Sequence, residues 1–349
     1  MKHWIVLGLA ALSLGILAGC NGGASSSTST TGSASGSTTS EKKLKVGIVF
    51  DTGGRGDASF NDSAWRGIEK AQKDLGAEAV PIESRSEKDY ANNLRTMADQ
   101  GCNLVVAVGI NMETALNQVA PEYPDTKFAI VDAPSKAENV RSLLFAEHEG
   151  SFLVGYLAGL MTKTNKIGFV GGQELDLIKK FEVGYAAGAK MANANVVLLP
   201  AKYTGSWDNV DQAKVAANAL FAGGADIVYH AAGRAGKGVI DAAREKKLWA
   251  IGVDSDQDHL AEGFVLTSMI KKVDESVYQT IKDLQDGKFT SGAQVYDLKS
   301  GGVGVSELRF TKDKIGQTNL DKLADVEGKI KSGEIKVPQT PAELAAFKP

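Results

Sequence analysis

The sequence predicts an α/β protein with two lobes, each built on a doubly wound parallel β-sheet that is covered by helices. Short apolar runs typical of strands alternate with helical patterns along most of the chain. This alternation favours parallel sheets, because their strands are buried on both faces and helices connect them. The alternation begins again near residue 150, and about 300 residues usually divide into two domains.

Two such series of alternating strands and helices predict two α/β lobes, each with its own sheet. The first series alternates strand-like runs and helical patterns as follows: KVGIVF, a helix near 61–75, EAVPIES, a helix near 89–100, NLVVAVG, a helix near 112–120 and FAIVDA. The second series follows: a helix near 150–162, KIGFVGG, a helix near 176–192, VVLLPAKY, a helix near 209–222, DIVYHAAG, a helix near 236–246 and LWAIGVDSD.

The N-terminus has the pattern of a secretory signal. Lys2 and His3 precede an apolar run over residues 4–18, which ends in Leu-Ala-Gly-Cys. The run is short for a membrane span, so we interpret residues 1–19 as a signal peptide. The ending resembles a bacterial lipobox, in which Cys20 becomes the lipidated first residue; an ordinary secretory signal with an incidental cysteine is the alternative. Residues 20–43 then predict a flexible Ser/Thr/Gly tether to the membrane.

Composition limits the remaining possibilities. From Leu44 onward no stretch is long and apolar enough to predict a membrane span. Cys102 is the one cysteine besides Cys20, and we expect it to be a buried structural residue. The formal net charge of −3 does not favour nucleic-acid binding. The four histidines are scattered, and no spacing predicts a metal site, a catalytic group or a cofactor.

Polar residues and glycines follow the predicted strands in both series. Ligands of open parallel sheets bind beyond the carboxyl ends of the strands, where the loops converge. The pattern therefore predicts a cleft lined from two sides, although each acid or amide could instead cap the following helix. The residues are Asp51, Asn111, Asp132, Gly171, Gly172, Gly233 and Asp254.

Four segments together resemble the basic membrane protein family of lipoproteins, the substrate-binding components of ABC importers whose best-understood members are purine nucleoside receptors. The segments are VGIVFDTGGRGDASFNDSAWRGI, KIGFVGGQELDLIKKFEVGYAAGAK, AIGVDSDQ and LTSMIKKVDESVY. The resemblance implies the type I periplasmic binding protein fold, with two lobes joined by three crossovers and a ligand between them. One lobe is expected at 44–147 plus 256–290, the other at 148–255 plus 291–335, and residues 336–349 form a C-terminal tail.

The resemblance also implies which residues hold the base of a nucleoside. Phe60 and Phe181 would stack on its two faces, although Phe181 also fits an apolar helix face and could be a core residue. Asn61 would offer a donor and an acceptor to the base edge, and the Asp132 carboxylate would accept from it. Asp51 would contact the ligand or hold the turn that follows it.

The sugar end is implied in the same way. Asp254 would accept from two ribose hydroxyls, and Lys271 would donate to a ribose oxygen unless its neighbour Lys272 is the true contact. Gly233 would let the backbone approach the sugar. Arg234 departs from the family pattern, in which a small residue is common. Trp207 is either a second aromatic wall of the cleft or a surface residue.

The function that these residues imply is an extracytoplasmic, membrane-anchored receptor that delivers adenosine, guanosine or inosine to an ABC permease with its ATPase. The alternatives are a receptor of the same fold for another small ligand, such as a sugar or a signalling molecule, and a nucleoside-cleaving enzyme. His230 could face the cleft of such an enzyme, but a buried structural histidine is the alternative. A transcription regulator of this fold would need a DNA-binding segment where this chain has its signal and tether.

Overall fold

Two β-sheets form the framework of residues 43–348, which are the residues that the computed structural model describes. The predicted signal peptide, Cys20 and residues 21–42 of the predicted tether lie outside them. The strands in chain order are β1 Lys45–Phe50, β2 Glu78–Glu83, β3 Leu104–Val108, β4 Lys127–Val131, β5 Val140–Phe145, β6 Lys166–Gly171, β7 Val197–Leu198, β8 Lys202–Tyr203, β9 Ile227–Ala231, β10 Trp249–Asp254, β11 Val265–Lys271, β12 Gly292–Tyr296 and β13 Val303–Val305.

The helices confirm the predicted alternation. They are α1 Phe60–Leu75, α2 Tyr90–Asp99, α3 Glu113–Val119, α4 Glu147–Met161, α5 Asp176–Ala192, α6 Val210–Ala222, α7 Lys237–Lys246, α8 Val273–Gln285, α9 Lys312–Ile315, α10 Gln317–Lys331 and α11 Pro341–Ala346. Helix α11 lies in the predicted C-terminal tail and begins with a capping box between Thr340 and Glu343. Among the described residues no helix has the length and apolar character needed to cross a membrane.

Both sheets have the same strand order. The first runs β2-β1-β3-β4-β5-β12 with parallel pairing throughout, and the second runs β7-β6-β9-β10-β11-β13, with β8 also paired to β6 and β13 antiparallel to β11. The predicted run VVLLPAKY splits into β7 and β8 around Pro200, which has no N–H for a ladder hydrogen bond. The order reverses between β1 and β3 and between β6 and β9, and this is where doubly wound sheets bind ligands.

The chain passes between the sheets three times, which confirms the predicted crossovers. It crosses between β5 and β6 through α4, between β11 and β12 through α8, and between β12 and β13. The predicted lobe bounds differ from the sheets at the last two crossings. Strand β11 falls within 256–290 but pairs with β10 of the second sheet, and β12 falls within 291–335 but pairs with β5 of the first. The chain therefore crosses to the first sheet only after β11, not before it.

Helices α4 and α5 pack with their backbones in contact. A methyl group built on Gly188 of α5 would lie 1.9 Å from the Phe152 carbonyl oxygen of α4, and one on Gly155 of α4 would lie 2.1 Å from the Tyr185 carbonyl oxygen. Glycines at these places allow an approach that any side chain would block. Since α4 begins at Glu147 and α5 carries Phe181, this contact sets the distance between two residues near the cleft.

Gly188→Ala should lower the free energy of unfolding by about 3 kcal/mol or more, because the helices must separate to admit the methyl group. Chemical denaturation of the unliganded protein measures this loss. Gly328→Ala in α10 is the matched control, since a methyl group there meets no atom within 4 Å. It should stabilise by about 0.5 to 1 kcal/mol through helix propensity. Equal effects of the two changes would contradict this account of the helix pair.

Candidate functional site

One cleft brings together the ends of strands from both sheets. About 560 Å³ of space lies inside it, counted to the open mouth. The structure places all nine residues predicted to bind ligand on its wall: Asp51, Phe60, Asn61, Asp132, Phe181, Trp207, Gly233, Asp254 and Lys271. Their roles in binding remain predictions.

Aromatic rings line the cleft on several sides. The Lys271 ammonium lies 5.0 Å from the ring centroid of Phe60 and 5.5 Å from that of Phe181. Phe181 also packs in the hydrophobic core of the second sheet, so it combines the core role and the cleft position that the sequence offered as alternatives. Trp207 lies on the cleft wall against Gly172, where a methyl group would come within 2.3 Å of the indole ring.

Lys271 is the centre of a buried charge cluster. Its Nζ lies 2.5 Å from Asp132 Oδ2 and 3.9 Å from Glu147 Oε1, and all three side chains are buried. Lys272 is exposed, so the alternative that it is the cleft lysine is not supported by its position. Glu147 was missed by the sequence reasoning; an acid at the start of α4, directly after an apolar strand, is the signal that could have found it.

The sequence predicts that Asn61 offers both a donor and an acceptor to a ligand, but its donor is used within the protein. Its Nδ2 donates to Asp51 Oδ1 at 2.9 Å and to Asp57 Oδ2 at 3.2 Å. Its Oδ1 is buried and accepts no hydrogen bond from the part of the chain that the structure describes. Asp51 Oδ1 also accepts from the Gly53 N–H, so Asp51 holds the turn and lines the cleft, the two roles that were left open.

The acids at two equivalent strand ends have unusual backbones. Asp132 follows β4 with φ of 70° and Asp254 ends β10 with φ of 64°. These values lie in the left-handed region, which costs energy for residues other than glycine and is tolerated best by Asp and Asn. Strained residues of this kind cluster at functional sites. Asp254 Oδ2 accepts from Ser59 Oγ at 2.6 Å, which fixes the carboxylate at the cleft wall.

The glycine-rich turn after β1 is held from both lobes. Within its own lobe, Asp62 accepts from the N–H groups of Gly56 and Ala58. From the loop after β9, Arg234 donates to the carbonyl oxygens of Gly53 and Arg55 at 2.8 Å and 2.7 Å. Arg234, the residue that departs from the family pattern, therefore links the two lobes across the mouth of the cleft.

Arg234→Ala should weaken ligand affinity about tenfold, mainly through faster dissociation, because fewer bonds hold the lobes around the ligand. Stopped-flow fluorescence measures the dissociation rate, with either a fluorescent ligand or the intrinsic fluorescence of the protein as the signal. Arg244→Ala is the matched control, because Arg244 pairs with Asp241 on the exposed face of α7. An unchanged dissociation rate in the Arg234 variant would contradict a role of Arg234 in holding the lobes together.

Burial changes the protonation of the cleft acids. It raises the pKa of Asp51 to about 7 and that of Asp254 to about 6. It also raises the pKa of Glu147, against the opposing charge of Lys271. A buried carboxylate is costly to ionise, so these residues lower the stability of the unliganded protein once they lose their protons.

Asp51→Asn should therefore gain stability relative to the wild type as the pH rises from 5 to 8. The pKa of Asp51 is higher in the folded protein than in the unfolded chain. The protonated Asp51 side chain therefore contributes fully to folding stability below about pH 4, and this contribution is lost as the pH rises through about 7. We expect the difference in Tm between variant and wild type to grow by about 2 °C or more. Thermal unfolding of the unliganded proteins at both pH values measures it. The same difference at pH 5 and pH 8 would contradict the expectation.

His230 lies behind the cleft rather than on its wall. It is fully buried on β9, and its Nε2 lies 3.0 Å from Gln257 Oε1. Burial lowers the pKa of His230 to about 4, so the ring is neutral near pH 7. Gln257 also donates to the Ala58 carbonyl oxygen at 3.2 Å, which ties this histidine to the opposite lobe. The position agrees with a structural histidine.

Comparisons with known proteins agree with this fold. A nucleoside-binding protein of an ABC transporter, BmpA of Lactococcus lactis subsp. cremoris, is 35% identical over 93% of this chain and 97% of its own length. A lipoprotein of Pyrococcus abyssi is 34% identical over 97% of this chain and 94% of its own length. An ABC transporter solute-binding protein of Aeropyrum pernix has a solved structure with a TM-score of 0.78 and 29% identity, over 87% of this chain and 96% of that one.

The family comparison covers both lobes. Residues 44–341 match the family model described as Bmp, ABC transporter substrate-binding protein PnrA-like. The match includes every strand and every residue of the cleft wall. The chain therefore belongs to the Bmp family of PnrA-like ABC transporter substrate-binding proteins.

Proposed function

We propose that this protein is a lipid-anchored receptor that binds a purine nucleoside between its lobes and delivers it unchanged to an ABC permease. The observation that carries the proposal is the shared position of Phe60 and Phe181, whose ring centroids lie 5.0 Å and 5.5 Å from one buried ammonium. Rings on a cleft wall suit a flat base, which gains apolar burial and stacking on its faces.

The sugar end of the ligand lies in this proposal at the Lys271 cluster. Asp254 accepts from ribose hydroxyls, and Lys271 donates to a ribose oxygen. Because Asp132 forms an ion pair with Lys271, the proposal puts Asp132 at this end as well, rather than at the base edge. Asp132 Oδ1 is buried without a partner among residues 43–348, so a hydroxyl that donates to it would satisfy a costly orphan acceptor.

The charge of the cleft favours a nucleoside over a nucleotide. Asp51, Asp132 and Asp254 all line the cleft, and Asp132 and Glu147 lie within 4 Å of Lys271. A phosphate would bring further negative charge into this buried set of acids, where like charges repel strongly. The name of the Lactococcus lactis relative supports a nucleoside, and the Leu-Ala-Gly-Cys segment ending at Cys20 supports the lipid anchor.

Isothermal titration of residues 41–349, after unfolding and refolding to remove carried ligand, tests the proposal. We expect tight binding of adenosine, guanosine or inosine, weaker binding of cytidine and uridine, and little heat with AMP, adenine or ribose. Chromatography of the bound nucleoside should recover it unchanged. Phe60→Ala should weaken every nucleoside about tenfold or more. No binding across the panel, or AMP bound as tightly as adenosine, would overturn the proposal.

A further inference from the structure

The donor and acceptor that Asn61 shows to a ligand depend on which way its carboxamide points. The NH2 group has two hydrogens, and the structure uses both on carboxylates, those of Asp51 and Asp57. The reverse orientation would turn the amide oxygen towards Asp51 Oδ1 and Asp57 Oδ2. These two oxygens already accept from the N–H groups of Gly53 and Asn61, so each is an acceptor and offers no hydrogen to the amide oxygen. Asn61 lines the cleft, so the polar atom of its side chain that is left for a ligand is Oδ1, a buried acceptor that has no partner in the described chain.

Asp57 is placed to maintain that orientation. It is fully buried and is not on the cleft wall. Its Oδ1 accepts from the N–H groups of Ser59 and Asp62, and its Oδ2 accepts from the Asn61 N–H at 2.8 Å. These three backbone bonds fix the carboxylate at the start of α1, so its remaining contact, with Asn61 Nδ2, has a fixed direction.

We propose that Asp57 is a positioning residue that locks the Asn61 carboxamide with its oxygen towards the ligand, so that the receptor selects bases presenting an N–H donor at that place. This inference rests on the proposed nucleoside function and deepens it. The adenine amino group and the N1–H of hypoxanthine or guanine are donors of this kind. Unsubstituted purine has no such group, and its riboside would leave Asn61 Oδ1 buried and unpaired.

A binding site with a buried polar group of fixed orientation discriminates strongly between ligands. A ligand without the matching group leaves that polar group without a hydrogen bond. We expect wild-type protein to bind purine riboside about 10- to 100-fold more weakly than its preferred purine nucleoside. The ratio of these two Kd values is the useful quantity. Any general loss of folding or closure changes both values together and cancels in the ratio.

Asp57→Asn tests the proposal by replacing the fixed acceptor with a group that can satisfy either end of the Asn61 amide. The ratio should fall to about 3-fold or less, since the Asn61 amide is then held by Asp51 alone and can turn its NH2 towards the ligand. Asn61→Ala should lower the ratio to the same value, and Asp57→Asn should have no further effect in that background. Asp62→Asn is the matched control, because Asp62 holds the same turn through Gly56 and Ala58 without touching the Asn61 amide; it should keep the wild-type ratio.

A wild-type ratio in Asp57→Asn, or an equal fall in Asp62→Asn, would overturn the proposal. If Asp57→Asn does not fold, a neutron crystal structure of the liganded wild type decides instead. The proposal is supported if both deuterium atoms bonded to Asn61 Nδ2 point towards the carboxylates of Asp51 and Asp57. It is overturned if one of these deuterium atoms points towards the base. Failure of wild type to bind any nucleoside would overturn the proposed function and this inference together, whereas tight binding without discrimination would overturn the inference alone.

Discussion

Lys271→Met should reduce nucleoside affinity about 100-fold and lower the Tm. Methionine has a similar length but removes the positive charge that Asp132 binds at 2.5 Å and that lies 3.9 Å from Glu147. Breaking one partner from a buried ion pair typically costs about 3 to 5 kcal/mol, because the other charge is left uncompensated. The ligand also loses the proposed donor to its ribose. Titration calorimetry measures the affinity, and thermal unfolding measures the stability.

The neighbouring lysine provides the control for this change. Lys272→Met removes an equal charge one residue away on an exposed side chain, and it should alter affinity less than about threefold, since exposed charges are screened by water and salt. Adding Asp132→Asn to Lys271→Met should recover part of the stability, because it removes the stranded acid. It should not recover affinity. Similar losses from Lys271→Met and Lys272→Met would refute the central role of the buried cluster.

Much of the candidate site was predictable because it lies where local sequence signals are strong. Asp51 and Asp254 directly follow apolar strand runs, and the carboxyl ends of parallel strands converge whatever the details of packing. Phe60 stands out beside a glycine-rich turn. The alternation of strands and helices predicted the two lobes for the same reason, since burial on both faces of a parallel sheet leaves continuous apolar runs.

The remaining features depend on contacts between distant parts of the chain. Strand β11 resembles its neighbours in sequence, but only its pairing with β10 assigns it to the second sheet. Glu147 becomes part of the cluster because Lys271, far along the chain, reaches it. Asp57 looks like an ordinary turn residue, and its contact with the Asn61 amide appears only in three dimensions. Such pairings have no periodic sequence signal.

Asp254→Ala should weaken binding of the preferred ribonucleoside about 100-fold and binding of its 2′,3′-dideoxy analogue less than about threefold. Hydrogen bonds to a charged group contribute about 1.5 to 3 kcal/mol, and the dideoxy ligand has no hydroxyls to donate them. Ser59 holds Oδ2 of this carboxylate, so the other oxygen is the acceptor proposed for the sugar. Calorimetric titration of both ligands against wild type and variant gives the two ratios.

The backbone at this position requires a second variant to interpret the first. Asp254 has φ of 64°, and alanine is less tolerant of the left-handed region than aspartate or asparagine. Asp254→Asn keeps the backbone preference and removes the charge, so it separates strain from lost hydrogen bonding. Strain acts on both ligands alike and leaves their ratio unchanged, whereas a lost sugar contact acts on the ribonucleoside alone. If both variants weakened the two ligands equally, the sugar would have to bind elsewhere in the cleft, and the acids around Lys271 would be structural.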